Sequence, residues 1–117
     1  MLLQPSYKEA DLYPLAKKLL HCCYELTQDL PKDVEKNLAQ EMRRSSMLAF
    51  LSITQAVAQE KKKKKRKKLL PAQDCLRITG AILEVLLELR LVSRQQSQEL
   101  SRLLETCNRI VGKIVDR

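Results

Sequence analysis

Residues Lys61–Lys68 read KKKKKRKK, eight cations in succession. Their chemistry is phosphate binding, because lysine is a compact point charge that meets a phosphate without reading the base attached to it. The chain carries 22 Lys+Arg against 14 Asp+Glu, a net charge of +8. Removing the eight would leave 14 cations against 14 acids, so the whole electrostatic bias sits in this one segment. Solvated faces usually mix signs, whereas adjacent like charges repel one another. That favours an anionic ligand over a solubilising spacer, an anionic lipid or a targeting tag. No aromatic residue interleaves the run, so it has no platform for base stacking. Arg43 and Arg44 add guanidinium groups suited to bidentate phosphate or carboxylate contacts, with pairing to Glu41 or Glu35 as the plainer role. The expected nucleic-acid-binding residues are Lys61, Lys62, Lys63, Lys64, Lys65, Arg66, Lys67 and Lys68, with Arg43 and Arg44.

The other reactive residue types do not assemble into a site. His21 is the only histidine and stands beside Cys22, a pairing that invites a base and a nucleophile. Helix neighbours point about 100° apart, so the two would not face one target. Glu84 with Glu88 and Asp29 with Asp33 are acid pairs at ordinary surface spacing among cations. Cys22, Cys23, Cys75 and Cys107 form no C-x-x-C pair, and the chain has no glycine-rich phosphate loop. The expectation is a protein without catalytic residues, cofactor or metal. Its cysteines are expected as free thiols in a reducing, cytoplasmic setting, with Cys23 and Cys107 on inward helix faces. Leu2 and Leu3 are followed at once by Gln4, Pro5 and Ser6, which gives no signal-peptide core, and no apolar run is long enough for a membrane span.

The elements that must hold these groups are helical. In 117 residues there are two Gly and four Pro, aromatics make up 3%, and hydrophobic residues make up 44%. Such a composition reads as all-α, with enough apolar mass for a core in one domain spanning 1–117. The first helix is expected over about 11–28, where Leu12, Leu15, Ala16, Leu19, Cys22, Cys23 and Leu26 share a face. Pro14 fits its first turn. QDLPKD breaks it, and Asp33 is placed to cap the next helix, expected over about 33–60. Val34, Leu38, Met42, Ser45, Ala49, Ser52 and Ala56 form its stripe, while Met47, Phe50, Leu51 and Val57 lie off it. The run 61–68 is expected as a basic segment between helices. A third helix is expected over about 72–92, starting near Pro71, with a seam of Ile78, Ile82, Val85, Leu89 and Val92. Leu76, Leu83, Leu86 and Leu87 make a second stripe, and Gly80 inside the helix is read as a point of close packing. The fourth helix is expected over about 94–115, opened by a Ser93/Gln96 capping box. Short links imply an up-down-up-down antiparallel four-helix bundle. Two apolar sides on each middle helix imply a homo-oligomer.

The segment YELTQDLPKDVEKNLAQEMRRSS, residues 24–46, resembles proteins encoded in 23S ribosomal RNA intervening sequences. The resemblance rests on Tyr24, Leu26, Thr27, Leu30, Pro31, Lys32, Arg43 and Arg44. Leu104, Glu105, Arg109, Ile110 and Val111 extend it into the fourth helix. An Asn-Ile-Ala-Glu-Gly motif typical of the intervening-sequence branch is absent, since the corresponding region reads SITQAVAQE. In that respect the chain is similar to the sister branch, the accessory variability determinants of diversity-generating retroelements. That resemblance implies a cyclic pentamer of four-helix bundles that binds RNA or cDNA and a reverse transcriptase. The sequence-level expectation is therefore a non-catalytic nucleic-acid-binding accessory protein, bacterial or phage-encoded. The competing expectation is an intervening-sequence-type scaffold with a solubilising basic loop.

Overall fold

The structure, a computed structural model, describes residues 7–116. A 3-10 turn, Glu9–Asp11, leads into α1, Leu12–Thr27. The second helix, α2, occupies 32–57 and is composite: Lys32–Val34, a π-helical turn Glu35–Ala39, then Gln40–Val57. Helix α3 runs Lys62–Glu88 and α4 runs Arg94–Val115. No strand occurs among the described residues. The protein is all-helical, measures 44 × 38 × 19 Å and has a radius of gyration of 14.5 Å. Helix α2 packs on α3, α1 packs on α2 and α4, and α4 on α3. All four helices contribute to one buried apolar cluster.

Helices α1 and α4 follow their sequence patterns closely. On α1, Leu12, Leu15, Ala16, Leu19 and Cys23 are buried, while Cys22 and Leu26 are half-buried against the same cluster. On α4, Leu100, Leu103, Leu104, Cys107, Ile110, Val111 and Ile114 are all buried. Its start carries the full capping box. Ser93 Oγ accepts from the Gln96 N–H at 3.0 Å, and Gln96 Oε1 accepts from the Ser93 N–H at 2.8 Å.

The α2–α3 pair departs from expectation in instructive ways. Asp33 does not cap α2; the cap position is Pro31, and Asp33 sits in the first turn, where a carboxylate still favours the helix dipole. Met42, Ser45, Ala49 and Ala56 line the inner face with Ile53 and Ser46. The small residues let the helices approach, and Ser45 Oγ and Thr79 Oγ1 share a buried hydrogen bond of 2.7 Å between them. Helix α3 does not begin near Pro71. It begins at Lys62, so most of the expected inter-helix segment is helix, and Pro71 lies inside it. Helix α3 also stops at Glu88 rather than Val92. Leu91 N–H bonds to Leu86 C=O at 2.9 Å and Arg90 N–H to Leu87 C=O at 3.0 Å. These are the two bonds of a Schellman stop, with Arg90 in the left-handed position at φ 58°. The usual glycine signal for that stop is missing, which is why the pattern reads on to Val92. Gly80 does not mark close packing either: a Cβ built there meets no atom within 4 Å.

The two expected stripes of α3 do not separate as read from the sequence: Ile82 and Val92 of the seam are buried, and Leu87 of the second stripe is half-buried. Leu76, Ile82, Leu83 and Leu86 enter the core, whereas Ile78, Val85 and Leu89 stay exposed. On α2, Leu48, Leu51 and Val57 are exposed too. Among the described residues, every large exposed aliphatic side chain on a regular helix belongs to α2 or α3 or lies at the immediate end of α3.

Candidate nucleic-acid interface

The cationic run forms the first two turns of α3. Lysine propagates a helix well, but this placement is electrostatically opposed. Lys61 is the extended cap residue without a side-chain cap bond, and the first turn holds no acid. Cations near a helix N-terminus face the positive end of the backbone dipole, at about 0.3–1 kcal/mol each when close. Like charges three or four residues apart add about 0.2–0.5 kcal/mol of repulsion per pair. Pro71 removes one more hydrogen bond, since it has no N–H for the carbonyl of Lys67.

Long-range anchors offset that opposition. Leu69 and Ala72 are fully buried. Lys65 Nζ reaches Glu9 Oε1 at 2.8 Å beside the start of α1, and this ion pair is only partly exposed. Arg66 Nε donates to the Val115 carbonyl at 2.7 Å, satisfying an orphan acceptor at the end of α4. Helical period thus divides the run. Lys65 and Arg66 are structural anchors, while Lys61–Lys64, Lys67 and Lys68 are exposed and make no ion pair with another described residue. Lys8, next to Glu9, and Lys113, two residues before Val115, are exposed cations at the same end. Sequence reading missed both, because the contacts that bring them there join residues 56 and 49 positions apart.

Arg43 and Arg44 are not gathered into this cluster. Arg43 belongs to the junction between the end of α1 and the start of α2. Its Nε donates to Thr27 Oγ1 at 2.9 Å and its NH2 group to the Thr27 carbonyl at 3.2 Å. Thr27 is fully buried and its hydroxyl donates to the Cys23 carbonyl at 2.7 Å. The guanidinium also lies 5.2 Å from the centre of the Tyr24 ring and 3.5 Å from Glu35. Arg44 is exposed and pairs with Glu41 at 3.0 Å. Helix α2 continues for thirteen residues from Arg44 to its end at Val57, about 20 Å of helix, before the loop that enters the run.

The remaining reactive groups stay apart. His21 is exposed, and burial raises the pKa of the neighbouring Cys22 thiol, helped by Glu99 and Glu25. Cys23 and Cys107 are buried as expected, and burial pushes both thiols up to about 12. All four cysteines are free. Among the described residues no group of His, Cys, Asp or Glu could hold a metal ion, and no helix is long and apolar enough to cross a membrane. Clefts of about 1010 and 330 Å³ lie around the α3–α4 connection, away from the cationic run.

These features define an all-helical protein whose excess charge is concentrated at the start of one helix. The profile of the 23S rRNA-intervening sequence protein family matches residues 8–113, and the chain belongs to that family. A search of curated proteins finds no match. The family match takes in all of α1, α2 and α3 and nearly all of α4, and so includes both the Thr27–Arg43 junction and the cationic turns.

Proposed function

We propose that this is a non-catalytic accessory protein that binds nucleic acid through phosphates and serves a reverse transcriptase in a diversity-generating retroelement. The observation that carries the reading is the exposed arc of Lys61–Lys64, Lys67 and Lys68, held at the start of a helix and without an ion-pair partner among the described residues. A fold that keeps so many like charges adjacent gains by meeting a polyanion, which releases condensed counterions. The polymerase partnership rests on resemblance, through Tyr24, Thr27, Pro31 and Arg44 together with the absent Asn-Ile-Ala-Glu-Gly motif. The assembly is a cyclic homo-oligomer, a pentamer by the same resemblance, of antiparallel four-helix bundles. Contacts at the cationic end support the up-down order: the start of α3 meets both the start of α1 and the end of α4. The exposed aliphatic stripes of α2 and α3 are the surfaces available for neighbouring subunits. Four free thiols suit a cytoplasmic protein.

A second reading is an intervening-sequence-type oligomeric scaffold, favoured by the anchoring of Lys65 and Arg66 within the fold. One experiment separates the two. Lys61–Lys64, Lys67 and Lys68 are changed together to Gln, which preserves helix propensity, and RNA affinity is measured against KCl. The accessory-protein reading expects a loss of about a hundredfold or more at low salt. It also expects a flatter log K against log salt slope, each lost contact removing roughly 0.7–0.9. Unchanged affinity and slope would leave the scaffold.

A further inference from the structure

We infer that the cationic turns of α3 are built for a double-helical phosphate backbone rather than a single strand. The inference deepens the nucleic-acid reading above and rests on it. Helix phase sorts the outward lysines into two rows. Lys63 and Lys67 lie one turn apart on one row, and Lys64 and Lys68 one turn apart on the next. All four are exposed. The rows are rotated by about 100° from one another on a rod about 10–12 Å across with its side chains. On a rod of that width the two rows stand about 8–9 Å apart, so their ammonium groups address two separate lines of phosphate. A single strand presents one line of phosphates and can satisfy one row at a time. A duplex presents two lines and twice the axial charge density, roughly one charge per 1.7 Å against one per 3.4 Å.

The aromatic residues argue in the same direction. Single-strand binders gain affinity by stacking bases on exposed rings. The chain has three Tyr, one Phe and no Trp, and none of these rings serves the cationic end as a stacking platform. Tyr13 packs on Phe50 at 5.4 Å between ring centres, with Lys17 over the tyrosine ring. Tyr24 lies under Arg43, and Tyr7 packs against the core. Arg66, the one forked donor in the run, is exposed but tied through its Nε to the Val115 carbonyl, which fixes its orientation. What remains are point charges on a helix, which recognise a backbone and not bases.

The test uses the full chain and four oligonucleotides of equal phosphate number: duplex RNA, duplex DNA, oligouridylate and oligoadenylate. Affinity is measured by fluorescence anisotropy across a KCl series. The expected result is binding of either duplex at least about fivefold tighter than either single strand. Engagement of both rows gives a slope of roughly −3.6 per protomer on duplex, against roughly −1.4 for one row on a single strand. The two single strands should bind alike despite their different stacking strength. In Lys63→Gln/Lys67→Gln the duplex preference should collapse. In Lys61→Gln/Lys62→Gln, which removes the same charge from outside the rows, both ligand classes should weaken together and the preference should survive. Single strands binding as tightly as duplexes, oligoadenylate outbinding oligouridylate, or both double variants behaving alike would overturn the inference while leaving nucleic-acid binding intact. Binding of none of the four would sink the underlying reading instead. The two duplex arms report whether A-form or B-form geometry is preferred.

Discussion

Replacing Arg43 by Ala should destabilise the protein and leave nucleic-acid affinity untouched. Arg43 is mostly shielded, with 23% of its side chain exposed. It makes two hydrogen bonds to Thr27, one to the hydroxyl and one to the carbonyl. Hydrogen bonds to a charged group contribute about 1.5–3 kcal/mol when well formed. The carbonyl bond at 3.2 Å counts toward the low end of that range. The Tyr24 contact adds about 0.5 kcal/mol, and the half-exposed Glu35 adds less than that after solvent screening. Simple addition gives at least about 3.5 kcal/mol, and water reaching the truncated, partly exposed site brings the expected total to about 2–3 kcal/mol. For a urea m-value of about 1.5 kcal/mol/M, the midpoint should fall by about 1.5 M with no change in slope. Unfolding must be followed at fixed protein concentration, because an oligomer is stabilised by mass action. Thr27→Val removes the hydroxyl from the same network and should cost about 1–2 kcal/mol. The double variant should reveal a coupling of about 1 kcal/mol, since each single change removes the same bond. Arg44→Ala is the control, with an exposed ion pair worth at most about 0.5 kcal/mol. If Arg43→Ala shifts the midpoint by less than about 0.3 M and flattens the salt dependence of RNA binding, the junction is not structural. Arg43 would then be a phosphate ligand after all.

Two backbone substitutions should stabilise. Gly80→Ala adds a methyl into open space on a helix and should raise stability by about 0.5–1 kcal/mol, and Arg90→Gly relieves a left-handed arginine by a similar amount, both read as urea midpoints. The buried thiols make the fold sensitive to alkali. Cys23 and Cys107 stay protonated in the folded state up to about 12, while unfolded thiols ionise near 9. The unfolded chain therefore binds fewer protons between those values, and stability present below about pH 9 is lost as pH rises toward 12, at up to about 1.4 kcal/mol per unit per thiol. Cys107→Ala should lower stability at pH 8 yet fall less steeply between pH 9 and 11, and an unaltered pH slope would refute the assignment. The mass measured by light scattering at micromolar concentration should be a multiple of 13.5 kDa, and Leu51→Glu with Val85→Glu should reduce it to that value without loss of helix.

What the sequence discloses depends on how far apart the cooperating residues lie. Helix α4 is legible in its bounds because its cap is local, and the seven apolar side chains expected inward are all buried. The apolar sides of α2 and α3 are legible as sides, but not which of them faces inward. The inward faces are those where small residues meet across the interface and where Ser45 and Thr79 satisfy one another, contacts between residues 34 positions apart. Arg43 reads as a surface arginine because its partner Thr27 lies across a proline turn, 16 residues away. The left-handed stop at Arg90 carries no glycine to announce it.

The start of α3 is the sharpest case, because the local electrostatics and the proline argue against a helix despite lysine's good intrinsic propensity. The run is of one charge, its first turn opposes the dipole, and a proline follows at Pro71. The helix is nevertheless continuous from Lys62, anchored by Leu69, by Glu9 and by the carbonyl that ends α4. Each anchor acts on one phase of the helix and leaves the opposite phase to solvent. A disordered run would have offered eight interchangeable charges. A helix makes them unequal: Lys65 and Arg66 are committed to the fold, and Lys63, Lys64, Lys67 and Lys68 are arrayed in rows. That inequality turns a compositional bias into a surface with a shape, and single lysine substitutions can detect it. Lys65→Gln should lower the urea midpoint, by breaking a partly buried pair with Glu9, more than it lowers affinity. Lys67→Gln should do the reverse. Equal effects of the two on both measurements would mean that the run acts as a cloud of charge, with no distinction between anchor and ligand.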